Sequence, residues 1–214
     1  KAGSELVRLT TQGEREAKNM ALIREELNKR SYNTPLVADV HFNSKVADEA
    51  ALHVEKVRIN PGNYANSIDE IEHKFVPFLN LCKQHNTAIR LGVNHGSLNK
   101  RILEKYGDTP EGMTESCMEF LRICKRENFS NVIISVKASN TRVMVQTVRQ
   151  MARRMQEEGM NFPLHLGVTE AGSGEDGRIK SAVGIGTLLS DGLGDTIRVS
   201  LSESPVAEIP VAKK

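Results

Sequence analysis

A chain of 214 residues is long enough to bury one sizeable core, and 39% hydrophobic with 26% charged residues is typical of a soluble globular domain. A net charge of +2, the absence of tryptophan and an aromatic content of 4% argue against general affinity for nucleic acid. No apolar stretch approaches the roughly 20 residues that span a membrane, and the first residues do not form a secretory signal.

Short β-branched segments alternate with longer amphipathic segments along the whole chain. We predict strands at 5–10, 36–42, 56–61, 88–94, 131–138, 163–169 and 196–201. We predict helices between them at 13–29, 44–53, 67–86, 113–128, 140–158 and 179–190. Strict alternation of strand and helix predicts a parallel sheet with right-handed crossovers.

Seven predicted strands are one fewer than the eight of a (β/α)₈ barrel, which typically has about 250 residues. We therefore predict an α/β fold, an incomplete TIM (β/α)₈-type barrel whose first strand and last helix are largely missing. Residues 1–214 would then be one partial, substrate-binding barrel domain. An open doubly wound sheet is the structural alternative.

Five cationic side chains lie inside the predicted strands, where soluble proteins usually place apolar residues. This five-cation cluster consists of Arg8, Arg58, Arg90, Lys137 and Arg198. Each charge needs a partner, because an unpaired charge on the buried face of a strand is costly. Cations from five strands exceed what a few carboxylates neutralise, so we expect a polyanionic ligand, and a diphosphate fits best.

Strand parity groups these cations with other polar side chains, because residues two apart on a strand share a face. The groups are Arg8 with Thr10, Asp39 with His41, Arg58 with Asn60, Arg90 with Asn94, Lys137 with Ser135 and Ser139, His165 with Thr169, and Arg198 with Ser200. Neighbours of the other parity, such as Val7, Val57 and Leu91, are apolar and are expected to pack under helices. The polar set is therefore expected inside the barrel, at the carboxyl ends of the strands, where active sites of this fold lie.

Two loops contain small residues that let backbone N–H groups approach an anion. Residues 94–98 follow a predicted strand, and residues 170–177 precede the helix at 179–190, whose N-terminus favours an anion. The second loop has the G-x-G-x-x-G spacing of dinucleotide sites, but Asp195 precedes its strand and the loop is acidic at its centre, so we reject that interpretation. A mobile lid or a turn is the alternative.

We interpret the histidines and cysteines according to the predicted elements in which they lie. His41, His95 and His165 lie at or after strand ends, where proton transfer or phosphate contact is plausible. The helical histidines are interpreted as surface or packing residues. Cys82, Cys117 and Cys124 are interpreted as small buried hydrophobes in a reducing compartment, and no metal site is predicted within 1–214.

Seven segments carry a strong resemblance to a known family. They are residues 37–43, 57–63, 89–98, 134–139, 164–172, 179–186 and 194–200. In this order, and over about residues 5–202, they resemble the barrel domain of the 4-hydroxy-3-methylbut-2-enyl diphosphate synthases, the IspG/GcpE family of iron–sulfur oxidoreductases. The resemblance implies reductive ring opening of 2-C-methyl-D-erythritol 2,4-cyclodiphosphate in the non-mevalonate (MEP) pathway of isoprenoid biosynthesis.

Together with strand parity, the resemblance assigns candidate site residues. Substrate binding is assigned to Arg8, Asp39, Arg58, Asn60, Arg90, Asn94, Ser135, Lys137, Arg198 and Ser200. Catalytic candidates are Glu170, His41 and His95. Two alternatives remain open: a pterin- or phosphosugar-handling barrel enzyme that uses a metal or a Schiff base on Lys137, and a non-enzymatic phospholigand-binding module.

The resemblance also implies a cofactor outside this segment. In the family, a separate C-terminal domain holds a 4Fe-4S cluster through three cysteines and a glutamate, and none of the cysteines here matches its motif. We therefore expect residues 1–214 alone to bind substrate without turnover. Ferredoxin or flavodoxin is the implied electron donor, a homodimer is one arrangement the resemblance allows, and neither nucleic acid nor membrane is an expected partner. The implied location is the bacterial cytoplasm or, for a plant-type source, the plastid stroma.

Overall fold

The computed structural model describes residues 2–41 and 43–214. Lys1, the start of the predicted domain, and Phe42, the end of the second predicted strand, lie outside the described residues. The strands are β1 (Val7–Thr11), β2 (Leu36–Val40), β3 (Lys56–Ile59), β4 (Ala88–Asn94), β5 (Val132–Lys137), β6 (His165–Leu166) and β7 (Thr196–Ile197). The helices are α1 (Glu14–Lys29), α2 (Ser44–Ala51), α3 (Pro61–Tyr64), α4 (Ile68–His85), α5 (Lys100–Tyr106), α6 (Pro110–Arg126), α7 (Thr141–Glu157), α8 (Gly174–Ser190) and α9 (Pro205–Ala212).

All strand pairs are parallel, and strand order follows chain order. β1 to β5 form one sheet, β6 pairs with β7, and a parallel bridge between Ile134 and Leu164 links β5 to the segment that enters β6. The order runs in one direction without the reversal that defines a doubly wound sheet. This arrangement confirms the predicted barrel-type α/β fold, although among the described residues no ladder joins β7 to β1.

The core lies between the sheet and the helices that cover its outer face. Tyr64, Phe75 and Phe120 pack edge to face, with ring centroids 5.0–5.8 Å apart. Val57 and Leu91 are fully buried beneath these helices, as strand parity predicts. Val7 differs: it is 38% exposed, because β1 is an edge strand of the described sheet.

Several element boundaries differ from the predictions. β6 and β7 are only two residues long, because beyond Leu166 and Ile197 the backbone departs from a regular ladder while keeping single hydrogen bonds, such as Thr169 N–H to the Ala138 oxygen. α8 begins at Gly174, five residues before the predicted start, with two acidic residues in its first turn that suit the helix dipole. The short helices α3 and α5 were not predicted, and asparagine side chains cap both of them.

None of the helices in the described ranges is both long and apolar enough to cross a membrane.

Candidate functional site

A cavity of about 430 Å³ opens at the carboxyl ends of the strands. Its lining residues are Arg8, Thr10, Asp39, His41, Arg58, Arg90, Asn94, Ser135, Lys137, Val168, Thr169, Glu170, Ala171, Arg198, Ser200, Leu201 and Ser202. The whole five-cation cluster therefore faces one space, together with two carboxylates, Asp39 and Glu170. The parallel register explains this convergence, since it sets Asp39 beside Arg58, Arg58 beside Arg90, and Asn94 beside Lys137.

Asp39 is the buried anion of the cavity and is 2% exposed. Its Oδ1 accepts a hydrogen bond from Arg58 Nη1 at 2.9 Å, and its Oδ2 lies 2.7 Å from Arg8 Nη1. Burial opposes ionisation of this carboxyl, but the charges of Arg58, Arg8 and Arg90 outweigh it and hold the pKa below its usual value. Asp39 is therefore a carboxylate that organises two arginines. His41 joins the same group, with its Nε2 3.4 Å from Asp39 Oδ1.

Arg58 reaches the cavity by crossing the neighbouring strand at a glycine. Its Nη2 donates to the Gly92 carbonyl oxygen at 2.7 Å, and a Cβ at position 92 would lie 2.3 Å from Arg58 Nε. Gly92 lies inside β4, where glycine normally weakens a strand. Its presence here leaves the space that the guanidinium fills.

Arg90 and Lys137 are also buried cations, 6% and 8% exposed. No hydrogen bond or ion pair joins either side chain to a carboxylate among the residues that the structure describes. Burial, reinforced by repulsion from neighbouring cations, lowers the pKa of Arg90 to about 9 and that of Lys137 well below its usual value. An anion beside these two groups would stabilise their protonated forms.

Arg8 lies on β1 and Arg198 directly follows β7, and their side chains are 32% and 33% exposed. Burial lowers the pKa of Arg8, Asp39 opposes this effect and repulsion from Arg198 adds to it, and both arginines line the cavity. Arg198 Nη2 donates to Glu208 Oε1 on α9 at 3.2 Å. Ser200 lines the cavity two residues beyond Arg198, as strand parity predicts.

Glu170 enters the cavity from the loop between β6 and α8. Its φ of 52° is a left-handed conformation that is unusual for glutamate. The loop is tied to the segment after β7, because Ser202 N–H donates to the Gly172 oxygen at 2.9 Å and Gly174 N–H donates to Glu203 Oε1 at 2.8 Å. We predicted that the N-terminus of α8 favours an anion, and the carboxylate of Glu203 lies at that position.

Two predicted site residues do not line the cavity. His95 turns away after β4, and its Nε2 lies 3.5 Å from Asp108 Oδ2. Asn60 caps α3, accepting from Gly62 N–H at 3.1 Å and donating to Ser97 Oγ at 3.0 Å. The other predicted binding residues and both remaining catalytic candidates, Glu170 and His41, face the cavity.

His165 lies inside the barrel but is not among the cavity-lining residues. Its Nδ1 is 2.8 Å from Thr196 Oγ1, and its buried Nε2 has no hydrogen-bond partner among the described atoms. Burial, followed by repulsion from Lys137 and Arg90, lowers its pKa far below the usual value. A neutral imidazole is therefore the stable form of His165 at neutral pH.

Sequence reasoning missed three structural supports of the site. Gly92 and Gly167 make room for Arg58 and Lys137, since a Cβ at position 167 would lie 3.2 Å from Lys137 Nζ. A glycine inside a predicted strand is the signal that marks such close approaches. Glu208 pairs with Arg198 and could be recognised only once α9 had been placed.

The three cysteines do not fit a 4Fe-4S cluster. Each is fully buried in the apolar core, and burial raises the pKa of Cys82 and Cys124 to about 12, which opposes the thiolate that iron requires. Among residues 2–41 and 43–214, no group of three His, Cys, Asp or Glu side chains is arranged to hold a metal ion. No redox step is therefore assigned to these residues.

Comparison with known proteins agrees with this geometry. The chain matches the GcpE TIM-barrel domain over residues 1–213. It is 65% identical over 230 aligned positions to a 4-hydroxy-3-methylbut-2-en-1-yl diphosphate synthase (flavodoxin) of Parabacteroides distasonis, with 100% of this chain and 38% of the relative covered. A 4-hydroxy-3-methylbut-2-en-1-yl diphosphate synthase (ferredoxin) of a Synechococcus species is 54% identical, over 98% of this chain and 57% of the relative.

The chain spans only 38% of the length of the first of these relatives. The match nevertheless covers nearly every residue of the chain, and it confirms the resemblance seen in the seven sequence segments. The chain belongs to the GcpE family, as its TIM-barrel domain.

Proposed function

We propose that this barrel is the substrate-binding domain of a 4-hydroxy-3-methylbut-2-enyl diphosphate synthase and that it binds 2-C-methyl-D-erythritol 2,4-cyclodiphosphate. The observation that carries the proposal is the convergence of the five-cation cluster on one cavity of about 430 Å³, whose described lining residues include only two carboxylates. A cyclic diphosphate supplies the missing negative charge and is small enough for this volume. The names of the relatives support the same reaction.

Charge and depth suggest how the ligand is held. Arg90 and Lys137 make no hydrogen bond or ion pair with a carboxylate among the described residues, so a phosphate group beside them would relieve the cost of burying them. Arginine forms bidentate contacts with phosphate oxygens, and Ser135, Ser200 and Asn94 supply hydroxyl and amide groups that fix orientation. Asp39 keeps Arg8 and Arg58 pointing into the same space.

Catalytic roles within this proposal follow from position. Glu170 and His41 line the cavity and are placed to move protons to or from the bound ligand. His95 is paired with Asp108 outside the cavity lining, so a role for it requires the histidine to turn toward the ligand. Asn60 contributes by holding α3 and Ser97 in place.

The reaction needs two electrons, which these residues do not supply. We assign them to a 4Fe-4S cluster held by a domain outside residues 1–214, with flavodoxin or ferredoxin as the donor, as the names of the relatives indicate. The corresponding location is the bacterial cytoplasm.

Isothermal titration of the full-length protein with 2-C-methyl-D-erythritol 2,4-cyclodiphosphate tests the proposal. We expect one site per barrel, and Arg90→Met should weaken binding at least tenfold because a buried charged contact to phosphate is lost. Arg153→Met is the matched control, since this arginine is exposed on α7 and pairs with Glu157 away from the cavity. Absence of binding by the wild-type protein would refute the proposed function.

The same protein separates the proposal from its main rival. Borohydride reduction in the presence of small aldehydes or ketones traps a lysine Schiff base as a stable mass increase. The lowered pKa of Lys137 would make its amine available for this reaction, so trapping is a stringent test, and if the lysine serves phosphate binding we expect no adduct on it. A trapped adduct on Lys137 would favour a Schiff-base enzyme instead.

A further inference from the structure

α9 carries a buried carboxylate on an otherwise accessible helix. Glu208 is 9% exposed, whereas Val206, two residues earlier, is 62% exposed. Burying a carboxylate in place of an apolar side chain costs free energy unless that carboxylate has defined partners. Glu208 therefore needs a specific partner, and the structure gives it two.

Both partners belong to the segment that forms one wall of the cavity. Glu208 Oε1 accepts from Arg198 Nη2 at 3.2 Å and from the backbone N–H of Leu201 at 3.1 Å. The two contacts bracket Ser200, a cavity-lining residue. One carboxylate thus fixes the Arg198 side chain and the backbone three residues beyond it.

Glu208 itself is not among the cavity-lining residues, while Arg198, Ser200 and Leu201 are. Glu208 therefore contacts Arg198 from outside the set of cavity-lining residues, and Arg198 itself still lines the cavity. A flexible arginine loses rotamer entropy when it binds a ligand, and prior fixation reduces that loss.

We infer that Glu208 is a positioning residue of the site: from α9 it holds the guanidinium of Arg198 in the orientation that contacts a phosphate group of the ligand. This inference rests on the proposed function and extends it, because it makes α9 a part of the substrate site. It also predicts whether the loss of Glu208 strengthens or weakens ligand binding. Removing a negative charge near a polyanion should strengthen binding by simple electrostatics, whereas loss of positioning should weaken it.

The test is a double-mutant cycle in the full-length protein, with the dissociation constant for 2-C-methyl-D-erythritol 2,4-cyclodiphosphate measured by calorimetry. Glu208→Ala and Arg198→Met should each raise Kd about tenfold, and the double variant should be no weaker than Arg198→Met alone. Glu208→Gln keeps an acceptor oxygen and should raise Kd by at most about threefold. This milder variant also decides the question if Glu208→Ala does not fold.

Glu119→Ala is the matched control. Glu119 pairs with Arg101, and the side chains of the two pairs are equally exposed, 33% for each arginine and 11% against 14% for the glutamates. Arg101 lies outside the cavity, so Glu119→Ala should lower the melting temperature and leave Kd unchanged.

Three results would overturn the inference: tighter binding by either Glu208 variant, an unchanged Kd in folded Glu208→Ala, or additive effects in the double variant. Failure of the wild-type protein to bind the cyclic diphosphate would instead refute the proposed function. In that case, the same cycle with inorganic pyrophosphate still decides whether Glu208 positions Arg198 for phosphate.

Discussion

The Arg58 guanidinium occupies the space above Gly92 in which any larger residue would place its side chain. A Cβ on Gly92 would lie 2.3 Å from Arg58 Nε and 3.1 Å from Cζ, and the Gly92 oxygen accepts from Nη2 at 2.7 Å. The glycine and the arginine therefore form one unit, in which the missing side chain of one residue gives the other its path to Asp39.

Gly92→Ala should displace Arg58 and disturb the cavity. We expect about tenfold weaker binding of the cyclic diphosphate, together with a loss of about 1–3 kcal/mol in unfolding free energy from overpacking. Calorimetric titration and chemical denaturation of the full-length protein measure the two effects.

Gly186→Ala is the control for this substitution. It lies within α8, and a Cβ there would meet no atom within 4 Å, so it should stabilise the protein by about 0.5–1 kcal/mol and leave Kd unchanged. Equal behaviour of the two glycine variants would show that the close approach of Arg58 to Gly92 is unimportant.

Lys137→Met should stabilise the ligand-free protein while abolishing its function. Burial and neighbouring cations lower the pKa of this amine in the folded state, so the unfolded chain binds more protons in the window between the lowered pKa and 10.5. The resulting destabilisation is greatest at low pH and disappears as pH approaches 10.5. Removing the amine should therefore raise the unfolding free energy by about 1 kcal/mol near neutral pH.

Denaturant titrations of wild type and Lys137→Met at several pH values measure this difference, which should shrink as pH rises. Lys180→Met is the control, because this lysine is on α8 and does not line the cavity. A stability difference that grew with pH would contradict the lowered pKa.

Ligand binding should also add a proton to the site. The phosphate charges favour the protonated form of Lys137, so binding should raise the lowered pKa of this amine. Calorimetry in buffers of different ionisation enthalpy should show uptake of up to about one proton per site at pH values between the pKa of the free protein and that of the complex. The uptake should be absent in Lys137→Arg, whose guanidinium stays charged, and an uptake that persisted in this variant would assign the proton to another group.

The five-cation cluster could be predicted because strand periodicity is a local property. Arg58, Arg90 and Lys137 occupy inward positions on strands whose residues of the other parity are apolar, and side-chain alternation alone sends them to one face. Parallel pairing in chain order then brings these faces together.

Depth and loop direction could not be predicted in the same way. His165 shares the inward face, but it pairs with Thr196 and is not a cavity-lining residue, because parity fixes the face and says nothing of height along the barrel. His95 follows a strand end, yet the left-handed turn at Gly96 and the Asp108 carboxylate direct it elsewhere. These outcomes depend on tertiary contacts between segments that are far apart in the sequence.

The three cysteines should behave as inert core residues. Cys82, Cys117 and Cys124 are fully buried, and burial raises the pKa of each thiol. Alkylation of the folded full-length protein, followed by peptide mass mapping, should leave all three unmodified until denaturant is added. An introduced Ser190→Cys at an exposed position serves as the reactive control, and rapid alkylation of any core cysteine would show that its helix opens.

Glu170→Gln should separate proton transfer from binding. The substitution keeps the size of the side chain and does not add strain to the left-handed backbone at this position, so it removes only the ability to exchange a proton. We expect kcat of the full-length enzyme to fall by about 10²-fold, which is the usual contribution of a general acid or base. Kd for the cyclic diphosphate should stay equal or decrease, because the substitution removes a negative charge from a cationic cavity. Glu175→Gln, an exposed substitution in the first turn of α8, should change neither quantity. A normal kcat in Glu170→Gln would show that this strained glutamate serves the loop and not the reaction.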